Sequence, residues 1–118
     1  MCGIAGFSGD FDPELLERMN TAMAHRGPDD AGCEHFPEAR IGIAHRRLSI
    51  IDLSMRGHQP MSDVSGTATI VFNGEIYNYR ELRAELVRDG FRFKSDSDTE
   101  VLLNLYLRDG DKMMEKLN

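Results

Sequence analysis

The first six residues, Met1-Cys2-Gly3-Ile4-Ala5-Gly6, constrain this chain more than any other stretch. Small and apolar side chains bounded by glycines and Ser8 predict a buried opening strand over Cys2 to Phe7. Cys2 stands directly behind Met1 and is small enough for an aminopeptidase to release that methionine. Release would put a thiol and a free α-amine on one residue. An α-amine titrates near pH 8 and a free thiol near about 8.5, so at neutral pH part of the amine can take the thiol proton, directly or through a water. Two readings stand at this point: a small buried residue in an apolar strand, and a nucleophile that carries its own base.

A chain of 118 residues is one domain at most and has the length to bury a core. Hydrophobic residues make up 41% and charged residues 29%, as in soluble globular proteins rather than disordered or fibrous ones. The net charge is −6, and no cluster of Lys and Arg stands apart from acidic neighbours, so nucleic acid is not an expected partner. No apolar run is long enough to span a bilayer and no secretory segment follows Met1, which predicts a cytoplasmic protein with no membrane contact. In that compartment Cys2 and Cys33 form no disulfide framework.

Further along, Asp12 can cap a helix with Pro13 in its first turn and Leu15, Leu16, Met19, Ala22 and Met23 on one face. The run His25-Arg26-Gly27-Pro28-Asp29-Asp30 breaks it. Strands are predicted at Ala31 to Phe36 and Ile41 to His45, with extended chain on to Asp52 and a loop from Ser54 to Asp63. Thr67 to Phe72 is the strongest strand signal, rich in β-branched residues and ending at Asn73-Gly74. Glu75-Ile76-Tyr77 is too short to return as the second strand of a hairpin. A helix follows from Asn78, with Glu81 completing a capping box, Leu82, Leu86 and Val87 inward, and Gly90 just past its end. Phe91-Arg92-Phe93 alternates like a short strand, and Ser97 with Glu100 forms a second capping box for a helix through Val101, Leu102, Leu105 and Tyr106. Asp111 to Asn118 reads as a last helical segment. Irregular alternation of strands and helices predicts an α+β fold, and strand edges without evident partners predict a piece of a larger domain.

Met1 to Gly6, His25 to Asp29, His45 to Asp52, Asn73 to Asn78 and Ser97 to Glu100 together resemble the class II glutamine amidotransferase domain of glutamine-hydrolysing asparagine synthetases. The match runs in order from Met1 past Val101. It implies an N-terminal-nucleophile hydrolase fold, an αββα sandwich of two antiparallel sheets between helices. It also implies a single partial glutaminase domain over residues 1–118, C-terminally truncated, with the synthetase domain absent.

The resemblance implies that glutamine is split to glutamate and ammonia. Cys2 would be the nucleophile, with its own α-amine as base. The Asn73 side chain and Gly74 N–H would form the oxyanion hole, which an amide substrate needs because the oxyanion must be stabilised as it appears. Arg47 would fork the substrate carboxylate, with backbone near Ile50 and Ile51 also touching the ligand, and Glu75 and Asp98 would surround its ammonium. Arg46, on the opposite side of an extended chain, is expected to be a solvated charge, and Arg26 a support of the loop beside Cys2. Cys33 and His35 lack matching ligand spacing with His25, His45 or His58, so no metal is expected. No cofactor serves this domain; ATP and Mg2+ are expected only in the missing synthetase domain, which would amidate aspartate or a related carboxylate. The resemblance allows a homodimer.

Two alternatives remain open. One is a non-catalytic fragment or scaffold of the same fold, favoured if Met1 is retained, because the Cys2 nitrogen is then an amide without a basic lone pair. The other is the glutaminase module of a different ammonia-transferring enzyme.

Overall fold

The computed structural model describes residues 2–49 and 54–118. Among these, the first ladder is antiparallel and ordered β1-β3-β2, from β1 (Gly3–Ser8), β2 (Asp30–Phe36) and β3 (Ile41–Arg47). β1 pairs with β3 from Gly3↔Arg46 to Ser8↔Ile41, and β2 pairs with β3 from Asp30↔Arg47 to Phe36↔Ile41. Helix α1 (Pro13–Ala22) packs on this sheet. Its start follows the sequence: Asp12 is the N-cap, and its carboxylate accepts the Glu14 N–H at 2.9 Å. Its inner face is narrower than the apolar spacing predicts. Leu16 and Asn20 are buried, whereas Ala22 is exposed.

Close backbone approach dictates two glycines in this part of the chain. A Cβ on Gly27 would stand 2.4 Å from Arg46 C and 2.5 Å from Arg47 N, so the turn before β2 lies directly on the end of β3. A Cβ on Gly32 would stand 2.1 Å from Gln59 O, so β2 admits residues 58–60 only because it carries no side chain there. With residues 58–60 and 71–74, these elements form one compact unit.

The second unit contains β4 (Met61–Ser62), β5 (Thr69–Ile70), α2 (Tyr79–Arg88) and α3 (Asp98–Asp109). Its core is Ile76, Leu82, Leu86, Val101, Leu102, Leu103 and Leu105, each 6% exposed or less. Fully burying one such aliphatic chain stabilises by about 2 kcal/mol. Helix α2 ends in a Schellman turn: Gly90, at φ +94°, donates to Val87 O, and Phe91 donates to Leu86 O.

Several local expectations need correction. The strand expected over Thr67 to Phe72 is reduced to Thr69–Ile70, paired with Met61–Ser62. Phe72 leaves the ladder because side chains occupy its backbone groups: its N–H donates to Gln59 Oε1 at 2.6 Å, and its carbonyl meets His45 Nε2 at 3.1 Å. Phe91 to Phe93 forms no strand, since the Schellman turn takes Phe91 N–H. Asn78 precedes α2 without a side-chain cap bond, because its amide donates to Lys116 O and accepts from Asn118 N. Val87 is 54% and Tyr106 is 47% exposed, both outside the buried helix faces. The last segment, Gly110–Lys116, is helical but of the tighter 3-10 form.

Candidate active site

Cys2 lies immediately before β1, half-buried. Its Sγ accepts the Leu48 N–H at 3.3 Å and lies 3.6 Å from Leu48 O. The ladder explains the placement. Gly3 opposes Arg46, so the antiparallel register runs Cys2 towards Arg47 and Leu48 at the strand end. The His25 to Asp29 turn braces that same end: Asp29 N–H donates to Arg47 O at 3.0 Å, and Ser49 N–H donates to the Asp29 carboxylate at 2.8 Å. Arg26 Cβ is 3.4 Å from where a side chain on Gly3 would start, which puts Arg26 beside the opening strand.

Arg47 is 7% exposed. A guanidinium held at that depth, on the strand end that carries the cysteine sulfur, is suited to a carboxylate in a partly dry site. Arg46 points to the other face, as the strand period requires. It is not a solvated charge, however, because its Nε donates to Asn20 O at 3.0 Å.

Asn73 and Gly74 belong to the same unit as Cys2 and Arg47. They follow Phe72, whose carbonyl rests on His45, two residues before Arg47 and on the same face of β3. Asn73 is half-buried and Gly74 exposed. This segment makes no hairpin, as the short run after it predicted.

Glu75 and Asp98 belong to the second unit and neighbour each other there. Asp98 Oδ2 accepts the Ile76 N–H at 3.0 Å, directly after Glu75. Ser97 caps α3 by accepting the Thr99 N–H at 3.0 Å. Burial pushes the Asp98 carboxyl above the usual carboxylate range, the Ile76 N–H opposes that shift, and the nearby Glu75 charge adds to it. A cation between the two acids would relieve their repulsion. The second capping box does not close in the expected way. Glu100 reaches past Ser97 and accepts Lys94 N–H at 2.8 Å, Ser95 N–H at 2.7 Å and Ser95 Oγ–H at 2.6 Å. It thereby locks the turn that presents Asp98.

Of the residues singled out from sequence, Cys2, Arg47, Asn73 and Gly74 gather in one unit, and Glu75 and Asp98 pair in the other. Ile50, Ile51 and Met1 lie outside the described residues. Sequence reasoning missed His45, Gln59 and the Leu48 amide. His45 lies inside a matched run but its spacing fits no metal site, and Gln59 lies within the stretch expected as loop from Ser54 to Asp63. Cys33 is separate from this chemistry: its sulfur takes the Asn20 Nδ2–H at 3.2 Å, and burial pushes the thiol up.

A mixed α/β fold with antiparallel sheets, and a cysteine leading its first strand, is compatible with an amidotransferase of the N-terminal-nucleophile type. The chain belongs to the glutamine amidotransferase domain family, whose model matches residues 1–118. It is 44% identical to glutamine-hydrolysing asparagine synthetase 1 of Bacillus subtilis (strain 168), over 99% of this chain and 19% of that protein. It is 39% identical to a putative glutamine-hydrolysing asparagine synthetase 2 of Methanocaldococcus jannaschii, over 100% of this chain and 26% of that protein. Amidase chry2 of Gibberella zeae is 39% identical over 90% of this chain and 18% of its own length. The chain thus spans about a quarter or less of the curated relatives it matches. No described helix is long and apolar enough to cross a membrane.

Proposed function

We propose that this chain is the glutaminase part of an asparagine-synthetase-type enzyme, hydrolysing L-glutamine to L-glutamate and ammonia. The observation that carries the reading is the seating of Cys2 Sγ on Leu48, beside the buried Arg47. With Met1 removed, the Cys2 amine takes the thiol proton and the sulfur attacks the side-chain amide carbon of glutamine. The oxyanion is held by the Asn73 amide and the Gly74 N–H. Collapse expels ammonia, which carries away the proton from the α-ammonium, and leaves a γ-glutamyl thioester on Cys2. Water, deprotonated by the same amine, hydrolyses the thioester and restores the thiol. Arg47 and backbone at Ile50 and Ile51 bind the substrate carboxylate, and Glu75 with Asp98 binds its ammonium.

The proposal extends to an αββα sandwich and to an ATP-dependent synthetase domain that receives the ammonia and amidates aspartate or a related carboxylate. ATP and Mg2+ belong to that domain. Among the described residues no group of three or more His, Cys, Asp or Glu side chains could hold a metal ion, and the proposal assigns no ion or cofactor to the glutaminase step. A cytoplasmic homodimer completes it. The test is ammonia release from glutamine by the whole protein with Met1 removed. Cys2→Ala should abolish release, and full activity in that variant would overturn the reading.

A further inference from the structure

We propose that His45 and Gln59 are positioning residues for the oxyanion hole, fixing Asn73 by holding both backbone groups of Phe72. The inference rests on the glutaminase reading above. Strand β5 ends at Ile70, so no ladder orients the two peptide planes that lead into Asn73. Two buried side chains do so instead. Gln59, 6% exposed, accepts the Phe72 N–H at 2.6 Å, and His45, 1% exposed, bonds the Phe72 carbonyl at 3.1 Å.

A carbonyl only accepts, so His45 Nε2 must carry the proton. Burial lowers the His45 pKa, which leaves a neutral ring with that single N–H committed to Phe72. The Phe72 carbonyl and the Asn73 N–H share one planar peptide. Holding the carbonyl therefore sets the plane from which the Asn73 side chain departs. Holding the Phe72 N–H sets the plane before it, and with both planes fixed the φ and ψ of Phe72 are fixed as well.

Each clamp is itself anchored. His45 is part of β3, opposite Ile4 and Gly32. Gln59 sits in a segment tied to β2, where His58 Nδ1 bonds the Asp30 carboxylate at 2.6 Å and the bare Gly32 admits the Gln59 carbonyl. Neither side chain is required to touch substrate. Their loss should loosen an oxyanion donor, which acts in the transition state, without altering ground-state binding through Arg47, Glu75 and Asp98.

The experiment is steady-state glutamine hydrolysis by the whole protein with Met1 removed, comparing wild type, Cys2→Ala, His45→Leu, His45→Gln and Gln59→Leu, with far-UV circular dichroism on each. Cys2→Ala should be inactive. His45→Leu and Gln59→Leu should each lower kcat by about tenfold or more while KM stays within about threefold. His45→Gln, whose amide can donate from near the Nε2 position, should restore most of kcat. Wild-type kcat in both leucine variants beside an inactive Cys2→Ala would overturn the clamp and leave the glutaminase reading intact. An active Cys2→Ala would overturn that reading and the clamp with it. If a leucine variant loses its fold, His45→Asn against His45→Gln decides, since the shorter amide cannot reach Phe72. Equal kcat in those two overturns the proposal, and a kcat about tenfold lower in His45→Asn supports it.

Discussion

The Leu48 amide donates to Cys2 Sγ at 3.3 Å, a contact between residues 46 positions apart in the chain. It places the sulfur of the second residue on the end of the central strand, next to the buried Arg47. One strand end thus supports both the proposed nucleophile and the proposed carboxylate anchor. The Arg26 to Asp29 turn, through Gly27 and Asp29, holds that end from outside.

Arg47→Ala should raise KM for glutamine by roughly tenfold to a hundredfold with kcat close to wild type, the effect expected from losing a charge-assisted bond made equally in ground and transition states. Arg47→Lys, which keeps the charge without the fork, should fall between. Steady-state kinetics with a melting curve for each variant checks this. A loss confined to kcat would remove Arg47 from carboxylate binding.

Gly27→Ala should destabilise the protein by about 2 kcal/mol or more, because the new methyl meets Arg46 and Arg47 backbone at 2.4–2.5 Å and backbone cannot step aside as a flexible side chain can. Denaturant unfolding measures it. An unchanged midpoint would mean that the turn does not press on β3.

Asp98→Asn should trade function for stability. Burial raises the Asp98 pKa, so the stability linked to this carboxyl is fully present below the ordinary carboxylate value and is lost as pH rises through the raised one. Relative to wild type, the Asn variant should therefore gain in thermal midpoint as pH goes from about 3 to about 7, while its affinity for glutamine falls. A stability advantage that shrinks with rising pH would contradict the sign.

Glu100→Ala should cost on the order of 3 kcal/mol, since the buried Ser95 N–H and hydroxyl lose their acceptor together with the part-buried Lys94 N–H. Glu100→Gln, with one acceptor oxygen in place of two, should cost less. Thermal melts of the two variants test the order, and equal midpoints would show that the carboxylate does not hold this turn.

Where side chains report on local structure alone, the sequence was readable: Asp12 caps α1, Gly90 closes α2 and Ser97 caps α3, each using bonds that span a few residues. The five matched runs were enough to identify the family before any geometry. The strand over Thr67 to Phe72 failed because β-branched residues report a preference for extended chain and not the partner that satisfies it. At Phe72 that partner is a pair of side chains 13 and 27 positions away. Glu100 was recognised as a helix-start acid, but its target depended on how the chain folds back before Ser97. Long-range side-chain to backbone bonds leave no periodic trace, so nothing in the sequence marks His45 and Gln59 as the partners of Phe72.

The most direct test of the central claim is acid quenching of the Met1-free protein during glutamine turnover, followed by mass analysis of its peptides. A mass increase of one γ-glutamyl group on the peptide beginning at Cys2, absent from Cys2→Ala, is the predicted result. Turnover with that peptide unmodified and the group on Cys33, or with the adduct persisting in Cys2→Ala, would contradict it.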